Sequence, residues 1–196
     1  LKEKDFFYFE DEFGGIKLPR PNLPGEFQIE NVSTAIATVR QLTDYKITDE
    51  HIKSAITKIE SIARLQEITF GKLKSLVKNN QLFVDGSHNP LGASVLNQYL
   101  QTLDCKKHII LGMMANKNHN KYMAYFDDIE SLTVIDIPNQ PNAIKGNDLK
   151  NKINNFKNIV YKESVQEAIS SIKLQDNDII LITGSLYLAG EVLNLN

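Results

Sequence analysis

Leu82-Phe83-Val84-Asp85-Gly86-Ser87-His88-Asn89-Pro90 is the stretch from which the fold is read. A short apolar run enters a polar turn, and Asn89-Pro90 opens a helical pattern. Asparagine is a strong N-cap, and proline at the first helical position brings a fixed φ and a missing donor that this position tolerates. The reading is strand, turn, helix. It puts Asp85 at the carboxyl end of a strand and His88 in the loop above it, where open α/β sheets bind ligands. On these residues alone, Asp85 accepts from a ribose or holds a cation, and His88 donates to a phosphate or carboxylate. The alternative, weighted equally, is that Asp85 and Ser87 satisfy turn amides while His88 faces solvent. The run contains neither a GxGxxG fingerprint nor a Walker GxxxxGK[ST] loop, so the phosphates of any nucleotide are held mainly elsewhere.

Working outward, alternating patterns predict strands over residues 74–77, 82–85, 108–111, 133–137, 158–161 and 178–183. Helices are predicted between them over 91–103, 121–128, 143–154, 165–172 and 187–195. That alternation is the pattern of an open α/β sheet. Upstream, residues 4–10 and 15–18 read as a hairpin turning on Asp11-Glu12-Phe13-Gly14, and the proline-rich 19–25 cannot continue a strand. Val32, Ala35, Ile36 and Val39 recur at helical spacing, and Thr48 with Asp49-Glu50 opens a second helix running to residue 59. The change of pattern sets a boundary near residue 60, giving segments 1–60 and 61–196. No repeat or low-complexity tract interrupts either.

A chain of 196 residues with 42% hydrophobic and 23% charged content is in the globular regime and can bury a core without staples. The net charge of -2 offers no basic field, which argues against nucleic acid as the main partner. Cys105 is the single cysteine, so neither a disulfide framework nor a thiolate metal cluster is expected, and the cytoplasm is the expected compartment. It reads as a small, partly buried core residue. The opening LKEKDFFYFEDEFGG has no apolar block of the kind that exports or anchors a chain. It enters strand sequence without an initiator methionine and reads as part of something longer. His51 and His108 read as surface residues, and His119 has no assigned role.

Asp85-Gly86-Ser87-His88-Asn89-Pro90 resembles the D-x-A-H-N-P signature of folylpolyglutamate and dihydrofolate synthases, with Ser87 for alanine. Ile62-Ala63-Arg64-Leu65-Gln66 is similar to that family's P-G-R segment but lacks its proline and glycine. The run from Leu23 to Asn31 resembles L-x-G-x-H-Q-x-x-N, with Phe27 for histidine, and Gly184-Ser185-Leu186-Tyr187-Leu188-Ala189-Gly190 resembles the closing G-S-x-Y-L-x-G. Gly112-Met113-Met114-Ala115-Asn116-Lys117-Asn118 is similar to G-x-x-x-D-K-D, with both acids replaced by asparagine.

The resemblance implies a Rossmann-like C-terminal ligase domain with a mostly parallel sheet, belonging to the Mur ligase superfamily. Residues 1–60 would be a hairpin-plus-helices tail of the central ATP-binding domain. It implies an ATP- and Mg²⁺-dependent reaction. A carboxylate of folate or dihydropteroate attacks the γ-phosphate, and L-glutamate then attacks the acyl phosphate. It further implies Asn31 near adenine, with Gln28 a weaker member of that set. Arg64, Asp85 and His88 would reach the nucleotide or the acyl phosphate, and Lys117 and Ser185 the substrate carboxylates. A solvated Lys117 and a Ser185 that only caps a helix are the competing readings. The P-loop and the magnesium-binding acids are expected on an N-terminal half, supplied by a separate chain or by the intact gene product. A non-catalytic nucleotide- or partner-binding remnant is the alternative, and a cell-wall ligase domain fits residues 85–90 less well. The segment 1–60, without its parent sheet, is expected to be sticky or partly disordered.

Overall fold

In the computed structural model, which describes residues 5–196, strict alternation builds the first elements. β1 (Phe6–Asp11) turns Phe7 and Phe9 inward and pairs antiparallel with β2 (Gly14–Pro19), which turns Ile16 and Leu18 inward. Lys4, where the first strand is expected to begin, lies outside the described residues. α1 (Phe27–Arg40) lays Ile29, Val32 and Ile36 against that face, and α2 (Asp49–Ile56) adds Ile52 and Ile56. The Thr48 hydroxyl accepts from the His51 amide while the Thr48 amide donates to His51 Nδ1, a reciprocal cap that leaves His51 exposed. Arg40 Nη1 donates to Asp11 Oδ1 at 2.7 Å and to the Gly14 carbonyl at 2.9 Å, tying the end of α1 to the hairpin turn. These elements form the first of two units, Leu1–Ser61, with an apolar cluster of its own.

The second unit, Ile62–Asn196, runs β3 (Gln66–Glu67), α3 (Lys72–Val77), β4 (Gln81–Val84), α4 (Pro90–Leu100), β5 (Lys107–Leu111) and α5 (His119–Met123). It continues through β6 (Ser131–Ile135), α6 (Gly146–Lys152), β7 (Ile159–Lys162), α7 (Val165–Ser171), β8 (Ile179–Thr183) and α8 (Leu186–Leu195). The sheet order is β3-β4-β8-β5-β6-β7, parallel throughout except for β3 against β4. Successive residues of a strand face opposite sides. Phe83, Ile109, Leu181 and Val134 therefore pack on α4, α5 and α6, while Val84, Ile110, Ile182 and Ile135 pack on α3, α7 and α8. The α/β expectation with a mostly parallel sheet is met, as helix–sheet–helix layers.

Residues 74–77 are helix, not strand. Leu73 and Val77 stand one helical turn apart and are both buried, whereas Ser75 between them, which a strand would turn to the same face, is exposed. β3, only two residues long, had no periodicity to announce it. His108 is not a surface residue. It is 3% exposed, with Nδ1 2.7 Å from Ser131 Oγ and Nε2 3.3 Å from Asp178 Oδ2, because a central parallel strand is covered on both faces.

The chain passes from β4 over to β5, continues outward to β7, and returns as β8 between β4 and β5. The carboxyl ends of β4, β8 and β5 therefore stand side by side where the strand order reverses.

Candidate active site

Backbone hydrogen bonds weave the loops at those three strand ends together. The Asp85 amide donates to the Ile182 carbonyl at 2.9 Å, Gly184 to Ser87 at 3.0 Å, and Gly112 to Thr183 at 3.2 Å. Gly184 has φ +108°, and a β-carbon there would lie 2.6 Å from the Gly112 carbonyl oxygen, so the crossing admits only glycine.

Asp85, 3% exposed, accepts from the Leu65 amide at 2.6 Å through Oδ2 and from the Ser87 amide at 2.7 Å through Oδ1. The first bond reaches back twenty residues and fixes the segment around Arg64. Ala63 and Leu65 both have positive φ, 57° and 48°, in the left-handed region that side chains rarely adopt. Three bonds and one buried side chain hold them there. Ala63 donates to Gln66 Oε1 at 3.0 Å, its carbonyl accepts from Gly86 at 2.9 Å, Leu65 donates to Asp85, and the Leu65 side chain is 1% exposed. Arg64, between them, is turned outward and makes no hydrogen bond or ion pair with another described residue. Arg64 and Asp85, predicted separately, are thus joined through Leu65.

His88 is half-buried, with Nδ1 3.0 Å from the Gly86 carbonyl. A carbonyl only accepts, so Nδ1 carries the proton. Nε2 is then an acceptor in the neutral ring and a donor in the protonated one.

On the β5 loop, Lys117 is half-buried and its amine has no partner among the described residues. Asn118, beside it, caps α5 by accepting from the Lys121 amide at 3.1 Å. His119 is buried, its Nε2–H donating to the Met114 carbonyl at 3.1 Å, and burial lowers its pKa below the ordinary value. Tyr122, fully buried, brings its hydroxyl 2.8 Å from Thr183 Oγ1, and burial pushes its pKa far up. Ser185 is 2% exposed and its hydroxyl accepts from the Tyr187 amide at 3.1 Å, capping α8. Thr183, Tyr122 and the left-handed pair at 63 and 65 carried no sequence signal. Gly184, in a Thr-Gly-Ser run after an apolar strand, did.

In the first unit, Gln28 is 3% exposed and its Oε1 accepts from Asn31 Nδ2 at 3.0 Å. Gln28 Nε2 is buried with no hydrogen-bond partner among the described residues, while Asn31 is exposed. A buried amide left without a partner is costly, and a ligand acceptor is one way to satisfy it.

Among the described residues no cluster of three or more His, Cys, Asp or Glu side chains is disposed to hold a metal ion, and no helix is long and apolar enough to cross a membrane. Compared by sequence with curated proteins, the chain has no match. Among solved structures it is similar to E. coli FolC in complex with ADP, at 19% identity and a TM-score of 0.79, covering 100% of this chain and 45% of that one. It is similar to the bifunctional folylpolyglutamate synthase/dihydrofolate synthase of Yersinia pestis complexed with AMPPNP and a Mn ion, at 18% identity, TM-score 0.73, and coverage of 98% and 46%. The folylpolyglutamate synthase of Thermotoga maritima matches at 22% identity, TM-score 0.70, and coverage of 97% and 46%. The chain thus spans less than half the length of these solved structures. The family described as Mur ligase, glutamate ligase domain, matches residues 72–186. From β4 with its Asp85 turn to the start of α8, the whole parallel sheet lies within that match, and the chain belongs to this family.

Proposed function

We propose that the chain is the C-terminal part of an ATP-dependent ligase that adds L-glutamate to folate or dihydropteroate through an acyl phosphate. The observation that carries this is Arg64, outward and without a partner among the described residues, between Ala63 and Leu65 at positive φ, the latter held by the buried Asp85. A guanidinium presents planar donors to a transferring phosphoryl group, and one whose backbone is already fixed needs little reorganisation when charge develops. Asp85 is the anchor of that arrangement, and its remaining lone pairs face the nucleotide. His88, its Nδ1 committed to Gly86, meets the phosphate or acyl group through Nε2.

Lys117, and Ser185 through the helix start it caps, serve the substrate carboxylates. In the first unit, Asn31 and the buried Gln28 amide serve adenine. Bound to phosphate oxygens, Mg²⁺ would supply charge neutralisation, and its protein ligands would lie outside the described residues. Turnover, on this proposal, needs an N-terminal half from a separate chain or the intact gene product, in the cytoplasm. The reading as a non-catalytic remnant has one observation in its favour: Lys117 is flanked by two asparagines, and Asn118 is spent on a helix cap.

The test is calorimetric titration of the purified chain with MgATP, with and without the upstream half, repeated on Arg64→Ala. Heat that needs both halves and is lost in the variant supports the ligase. Heat that survives Arg64→Ala moves the assignment to the remnant, and no heat in any combination removes nucleotide binding from both.

A further inference from the structure

Tyr122 is the largest side chain buried completely, and nothing in the proposed chemistry uses it. A buried phenol needs a partner, and this one has Thr183 Oγ1 at 2.8 Å. Thr183 is not an ordinary partner. It is the last residue of β8, its carbonyl accepts from the Gly112 amide, and the next residue, Gly184, donates to Ser87. Thr183, Phe83 and Asp85 share the sheet face that α5 covers, and the Asp85 carboxylate contributes to raising the Tyr122 pKa. The same helix is fastened to the Lys117 loop through His119 and the Met114 carbonyl. α5 therefore touches two of the three loops with polar bonds, and the third hangs on Gly184.

We propose that Tyr122 is a positioning residue for the site, its hydroxyl locking the end of β8 so that the Asp85, Gly112 and Gly184 loops keep one arrangement. The consequence for nucleotide binding rests on the function proposed above, whereas the locking itself does not. A phenylalanine fills the same space and removes only the oxygen, and Thr183→Val removes the other half of the bond. Because either change breaks the same interaction, their effects should not add.

The experiment is amide hydrogen exchange on the purified chain, comparing Tyr122→Phe, Thr183→Val, the double variant and Thr183→Ser. Ile159→Val, in β7, serves as a control for general loss of stability. Exchange at Asp85, Gly112 and Gly184 should quicken roughly tenfold in each single variant, no further in the double, and return toward normal in Thr183→Ser. Faster exchange spread evenly over the sheet, as in the control, or effects that add in the double variant, would overturn the proposal. With the upstream half present, MgATP affinity should fall about tenfold in Tyr122→Phe and stay unchanged in Ile159→Val. Unchanged affinity in Tyr122→Phe alongside normal binding by the unaltered chain would equally overturn it. If the unaltered chain gives no heat at all, the nucleotide reading fails and the exchange comparison alone decides the role of Tyr122.

Discussion

Replacing Asp85 by asparagine would set an amide NH₂ against one of the two backbone N–H groups, of Leu65 and Ser87, that the carboxylate now accepts. Leaving a buried donor unpaired and losing a charge-assisted bond should lower stability by roughly 2 kcal/mol, read as a shift in urea midpoint. Arg64→Ala touches no internal bond and should leave the midpoint within about 0.5 kcal/mol while removing the MgATP heat. The two variants separate the anchor from the contact. Arg64 and Asp85 were legible in the sequence as residue types in a familiar order. Their connection was not, because Ala63 and Leu65 give no sign in sequence that they adopt positive φ. The family's P-G-R would place a glycine at position 63, where φ is 57° here.

At the level of elements, capping decides several boundaries. Asn89 Oδ1 accepts from the Gly92 amide at 2.8 Å, so Asn89→Ala should cost about 1 kcal/mol, measurable by thermal unfolding. Lys78 closes α3 at φ 53°, and because a glycine there escapes the steric penalty, Lys78→Gly should raise stability by about 1 kcal/mol in the same assay. α5 carries a pH dependence. Burial, and to a lesser degree Lys152, lower the His119 pKa, while its bond to the Met114 carbonyl opposes them. The unfolded chain therefore takes up the proton first as pH falls. The stabilising difference is complete above the ordinary value of about 6.5 and is lost as pH drops from there toward the depressed folded value. Urea midpoints at falling pH should decline more for the unaltered chain than for His119→Gln; equal declines would contradict the assignment. Long, strongly periodic helices such as α4 and α8 were legible. α3 was not, since its six residues hold a Ser-Leu-Val run that reads equally as strand until Ser75, between the buried Leu73 and Val77, is seen exposed.

For the whole molecule, the apolar clusters on the two sheet faces draw only on residues of the second unit, and the cluster of the first unit only on its own. Residues 62–196 expressed alone should unfold cooperatively, followed by circular dichroism against urea. Residues 1–61 alone, below the ~70–80 residues at which a single core suffices, should melt broadly and at lower temperature. A sharp, equally stable transition for the shorter piece would show that its small core is enough.

The sequence by itself determined the alternation of strands and helices, because burial on both sheet faces forces apolar runs and helix starts demand capping residues. It also determined the residue types at the strand ends, Asp85, His88, Arg64 and Gly184, since these are local and chemical. Only the tertiary structure decided that β8 returns between β4 and β5, which brings Gly184 beside Ser87 and Gly112. Strand order is a matter of pairing across long separations, and no local pattern encodes it. For the same reason, only the fold shows that Asp85 holds Leu65 twenty residues upstream, and that Tyr122 and Thr183, sixty-one residues apart, meet beneath the site.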